Sequence, residues 1–164
     1  MDALLSPAQL LGYAALVFGV ACFAQTDDRR FKLFMAAECA AYIGHFWLLG
    51  QPTAVASTTV SLLRSLASLR ARSPALGLGF MALSAGLGLW LMQGWLSLLP
   101  IAASCIGSFA LFFLQGLRMR ALMLVGTLLW LLNNLLVGSI GGTALEAVLA
   151  ATNAHTIWRL WRSR

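Results

Sequence analysis

Two carboxylates, an imidazole, a guanidinium and three side-chain amides stand inside apolar stretches of this 164-residue sequence: Glu38, His45, Arg64, Asn133, Asn134, Glu146 and Asn153. Groups of this kind are costly in hydrocarbon, face the interior of a helix bundle and mark a path or site for a polar solute or a proton. Glu146 and His45 have the types needed for an acid and base pair. No nucleophile motif, HExxH sequence or phosphate-binding loop accompanies them, so an enzyme is the least supported reading. Two histidines and two intramembrane glutamates at scattered spacing do not form a metal set either, and no cofactor is implied. The chemistry these residues suit is recognition and passage of a small polar solute.

The elements that must position them follow from composition. Hydrophobic residues make up 60% of the chain and charged ones only 10%, against roughly a quarter charged in soluble domains. Mean hydropathy is +0.85. So few charges cannot cover a soluble surface, and lipid takes that place. The opening MDALLSP carries an acid and no base, which argues against a signal peptide. Cys22, Cys39 and Cys105 fall in apolar runs and read as buried thiols rather than a disulfide framework.

A helix crossing about 30 Å of hydrocarbon needs roughly 20 apolar residues. Spans are expected at 8–25, 31–50, 53–69, 75–94, 97–115, 119–137 and 142–158. Pro7, Pro52, Pro74 and Pro100 sit at or near starts, where a missing N–H costs nothing, and Gly50, Gly94, Gly116 and Gly138 sit at stops. Lys and Arg then set the direction. Arg29, Arg30 and Lys32, then Arg70 and Arg72, then Arg118 and Arg120, then Arg159, Arg162 and Arg164 fall at alternate turns, whereas the turns with Gln51, Gln93 and SIGG have no base. The N-terminus is therefore expected outside and the C-terminus in the cytoplasm. The same alternation accounts for the net charge of +6 without nucleic acid. Trp90 and Trp95, and at the other side Trp158 and Trp161, suit interfacial anchors.

Residues 12–50 slide over 100–138 without a gap, matching Ala14 with Ala102, Ala15 with Ala103, Gly19 with Gly107, Arg30 with Arg118, Met35 with Met123, Leu48 with Leu136 and Gly50 with Gly138. Lys32 meets Arg120 in the same register. The expected fold is an all-α integral membrane protein of seven transmembrane helices in one domain. Repeat one covers 8–70, a linker helix 75–94 and repeat two 97–160, giving two parallel three-helix repeats in a 3+1+3 order. Ala75, Gly79, Ala82 and Gly86 on the linker have the four-residue spacing that allows close helix approach.

At 1.5 Å per residue the polar groups fall in two layers. His45, Asn133, Asn134 and Glu146 lie near the outer ends; Glu38, Arg64 and Asn153 lie near the inner side. Glu38 and Arg64 share a depth on consecutive antiparallel helices and are expected to pair, either as part of the path or as a lock between helices. His45 and Asn133 occupy equivalent repeat positions and suit interhelical hydrogen bonds, while Glu146 stands near the positive end of the last span. The outer layer would line a central cavity, with SIGG as a tight turn.

The motifs DDRRFK, HFWLLG, LRSLASLRARS, LLP, GLRMR and GSIGGTALE through IWRLWR, in this order, resemble the YgjV family of bacterial inner-membrane proteins. The resemblance covers nearly the whole chain. It implies a multi-pass protein of the bacterial inner membrane and supplies no substrate; His45, Arg64 and Glu146 fall within the family-like motifs. A more distant similarity, of architecture alone, is to the SWEET and PQ-loop facilitators. Here the prolines are terminal rather than within helices, and Gln51 and Pro52 stand in the reverse order of a PQ pair.

The sequence thus points to a small-solute transporter or facilitator. The alternative is a non-transporting accessory, sensor or structural membrane protein whose polar groups only hold the bundle. Lipid, a small polar solute and a second copy of the chain are the compatible partners.

Overall fold

A computed structural model describes residues 6–48, 52–90, 92, 94–136 and 140–163. Every regular element among them is helical: α1 (Pro7–Ala24), α2 (Asp28–Leu48), α3 (Pro52–Arg70), α4 (Pro74–Trp90), a 3-10 turn (Trp95–Ser97), α5 (Leu98–Phe113), α6 (Gly116–Leu136) and α7 (Ile140–Arg162). Seven α-helices stand where seven spans are expected, and Pro7, Pro52 and Pro74 each open one. Ser6 caps α1 by accepting from the Gln9 N–H. Gly116 opens α6 with φ +53°, a left-handed conformation that favours glycine. Gly50, Gln51, Gln93 and Gly138 lie outside the described residues. The SIGG stretch differs from the expectation, because Ile140–Gly142 already belong to the first turn of α7.

Among the described residues, three segments are long and apolar enough to cross a membrane by composition: Pro7–Ala24, Trp95–Phe113 and Gly116–Leu136; α4 is apolar but shorter. Helices α2, α3 and α7 have 21, 19 and 23 residues, enough for about 30 Å at 1.5 Å each. Their mean hydropathy is lowered by the charged, hydroxyl and amide groups that they carry.

The residue distribution is that of an all-α membrane protein. Large apolar side chains point outward, Val17 being 64% and Leu135 58% exposed, while much of the core is made of small residues such as Ala15, Cys22, Ser65, Ser68, Ser108 and Ala110. Water penalises such a surface and lipid does not; small residues let helices approach where lipid supplies no hydrophobic drive.

The helices fall into two compact units, Met1–Arg70 and Ala71–Arg164. In the first, α2 packs on both α1 and α3; in the second, α4, α5, α6 and α7 pack in sequential pairs. The expected linker helix is α4, and it packs along α5. Its contact glycines are Gly77 and Gly88: a Cβ at Gly77 would stand 2.5 Å from a Phe113 ring carbon, and one at Gly88 2.4 Å from Ile101. The stripe read as a packing face is a different one, since a Cβ at Gly79 or Gly86 would meet nothing within 4 Å.

The gapless register extends beyond the identities. The shift that carries the start of α2, Asp28, onto the start of α6, Gly116, also lays α2 along α6 and α3 along α7. Burial repeats too: Ala15 and Ala103, Gly19 and Gly107, Cys22 and Ala110, Phe23 and Leu111, Phe31 and Met119, Lys32 and Arg120, Cys39 and Thr127, Ser65 and Asn153, and Ser68 and Thr156 are all buried pairs in this register.

Candidate functional site

In the first unit His45 is turned onto α1, its Nδ1 lying 2.7 Å from the Ala8 carbonyl oxygen. A carbonyl only accepts, so Nδ1 carries the proton and donates. Gly12 leaves room for the ring, because a Cβ there would stand 3.1 Å from His45 Cε1 and Nδ1. Tyr42 and Phe46 flank the imidazole edge-on, with ring centroids at 6.2 and 5.2 Å. His45 thereby fastens α2 to α1.

Glu38 on α2 and Arg64 on α3 are both half-buried. Both act electrostatically on the buried Cys39 thiol, so the structure brings the two predicted partners to one neighbourhood. Deeper in the unit lies a cation that the sequence reading assigns to a loop. Lys32 is 5% exposed and its Nζ donates to the Ser68 carbonyl oxygen at 2.8 Å. That carbonyl belongs to the last turn of α3, where main-chain acceptors lack helical partners and a positive charge is favoured. Ser68 and Ser65 return their hydroxyls to the α3 backbone, donating to the Ser65 and Ser61 carbonyls.

In the second unit Asn153 is fully buried on α7 and donates from Nδ2 to the Arg120 carbonyl oxygen at 3.0 Å. Arg120, also fully buried on α6, is the counterpart of Lys32. Asn133 and Asn134 on α6 and Glu146 on α7 are half-buried near the ends of the two helices that residues 137–139 connect. His155 is exposed and lies against Trp158, with centroids 5.6 Å apart, while Arg162 sits 4.2 Å over the same indole. This aromatic and basic cluster suits a headgroup interface.

The predicted residues therefore form local sets: His45 with α1, Glu38 and Arg64 around Cys39, Asn153 with α6, and the half-buried Asn133, Asn134 and Glu146. Among the described residues no group of three His, Cys, Asp or Glu could hold a metal ion.

The sequence agrees over almost its full described length with one family of bacterial inner membrane proteins, Imp-YgjV, which matches residues 6–164. The chain belongs to this family. It is 37% identical over 155 residues to the inner membrane protein YgjV of Escherichia coli (strain K12), covering 94% of this chain and 85% of that protein. No solved structure matches it. The chain is accordingly a protein of the bacterial inner membrane.

Sequence reasoning missed the burial of Lys32 and Arg120. A cation at the edge of an apolar run looks like a loop charge, and both were counted with the basic turns. The usable signal was their coincidence in the repeat register, since loop charges have no need to keep register with a helix four spans away.

Proposed function

We propose that this inner membrane protein is a small-solute transporter or facilitator built from two parallel three-helix repeats, α1–α3 and α5–α7, with α4 as the inserted helix. The observation that carries the reading is the recurrence of buried positions, polar ones included, in one register. Repeats of three spans joined by a single span begin on the same side of the bilayer, an order used by solute facilitators. The alternating basic turns then put the N-terminus outside and the C-terminus in the cytoplasm. Glu38 and Arg64 in the first unit, and Asn133, Asn134 and Glu146 in the second, are the groups assigned to solute contact. The reading includes no catalytic step and no cofactor.

A second reading is favoured by two bonds. His45 Nδ1 and Asn153 Nδ2 donate to the main chains of neighbouring helices, at 2.7 and 3.0 Å, as in a non-transporting accessory or structural protein. These two are therefore bracing groups in either reading.

Thermal unfolding of the purified protein in mild detergent against sugars, nucleosides, vitamins, amines and organic acids separates the two. A ligand that binds only the folded state adds about 2.7 kcal/mol at a hundredfold excess over its Kd. The transporter reading predicts a concentration-dependent rise for one solute class, reduced in Glu146→Gln, and uptake of that class into proteoliposomes. No rise in any class, with Glu146→Gln less stable than the parent, supports the accessory reading.

A further inference from the structure

The turns into α2 and α6 are counterparts, yet they differ in charge. Asp27 and Gln115 occupy the same place: their backbone carbonyls accept from the Phe31 and Met119 N–H groups at 3.0 and 3.4 Å. In the first unit the Asp27 carboxylate also accepts from the Arg30 N–H at 2.7 Å, and Asp28 adds a second acid to the first turn. In the second unit Gln115 and Gly116 replace both acids, and the first turn of α6 holds no acidic residue. A helix start favours negative charge, so Arg118 there is unfavourable unless an anion joins it.

Space for one is present. An open hollow of about 760 Å³ is lined by Arg72, Gln115 and Arg118 on its polar side and by Phe112, Phe113 and Leu114. Arg72 is oriented across it by donating to the Leu114 carbonyl oxygen. A guanidinium has five donors in a fixed fork, so this bond leaves it able to accept a phosphate as well. The two arginines and the amide offer donors to an anion, and the phenyl rings offer an apolar wall beside them.

We propose that this hollow binds the phosphate of an anionic phospholipid headgroup, which takes the place that the Asp27 carboxylate holds in the first unit. The apolar wall and the inner-membrane setting select a lipid over a free ion, and basic pockets at the ends of membrane helices suit such headgroups. The inference stands apart from transport.

The test titrates the purified full-length protein, in mild detergent, with phosphatidylglycerol, phosphatidylcholine or inorganic phosphate and follows thermal unfolding. Phosphatidylglycerol is expected to raise the midpoint, with phosphatidylcholine and inorganic phosphate giving little. Arg72→Gln and Arg118→Gln should each weaken apparent lipid affinity roughly fivefold, whereas Arg30→Gln, which removes equal charge at the turn holding Asp27, should not. Gln115→Asp restores the missing carboxylate; it should raise the lipid-free midpoint and shrink the lipid-induced rise. Equal effects of the two lipids, or a lipid effect unchanged in both Arg118→Gln and Gln115→Asp, would overturn the site. A full effect from inorganic phosphate alone would overturn the lipid assignment.

Discussion

Lys32 and Arg120 are each the fifth residue of a 21-residue helix, α2 and α6, both are buried, and at this level each set carries a side-chain bond between its second and third helices. In the first unit the cation donates to the main chain of α3 at Ser68. In the second, Asn153 of α7 donates to the main chain of α6 at Arg120. Helix α3 stops at Arg70, so the Ser68 carbonyl lies in an unsatisfied last turn; α7 continues to Arg162, and the carbonyl of Thr156, the counterpart of Ser68, lies within the helix. Each set thus carries a polar bridge at this level, to an end-of-helix acceptor in the first and to a carbonyl inside α6 in the second.

The largest expected effects come from removing these cations. Arg120→Ala should lower stability by about 3–5 kcal/mol, because a large, fully buried side chain leaves a cavity that helix packing cannot collapse. Lys32→Ala should cost about 2–3 kcal/mol through lost stem packing and a lost charged hydrogen bond. Thermal unfolding in detergent measures both. If one variant is fully tolerated, the equivalence of the two seats fails there. Smaller shifts sharpen the comparison: Asn153→Ala should cost about 1–2 kcal/mol and its counterpart Ser65→Ala less, since Ser65 bonds only within its own helix.

A second contrast lies within α4. Gly77→Ala should destabilise by about 1–3 kcal/mol, because the new methyl would meet Phe112 and Phe113. Gly86→Ala, where nothing lies within 4 Å, should be neutral or stabilise by about 0.5–1 kcal/mol through chain entropy. A Gly86→Ala penalty as large as that of Gly77→Ala would mean that the Gly79 and Gly86 stripe is a packed face after all.

These contrasts mark how far the sequence can be read. Seven apolar runs, four of them with a proline at or near the start, located seven helices, since lipid and backbone hydrogen bonding act on local composition. Register was legible in the match of Gly19 with Gly107 and Arg30 with Arg118. Partners were not. Depth along a helix does not give rotation about it, so the bond of His45 to Ala8 was invisible, and small residues at 75, 79, 82 and 86 suggested a face that α5 does not use. Nor could periodicity tell a basic residue turned inward from one in a loop, which is why Lys32 and Arg120 were missed.

The central claim is that the two three-helix sets run in the same direction through the membrane. Single-cysteine labelling with a membrane-impermeant maleimide, comparing Thr26→Cys with Gln115→Cys in intact spheroplasts and inverted vesicles, tests it directly. Both positions are exposed and stand at equivalent turns, before α2 and before α6. Parallel repeats predict that both react only in inverted vesicles; labelling of the two from opposite sides would contradict the account.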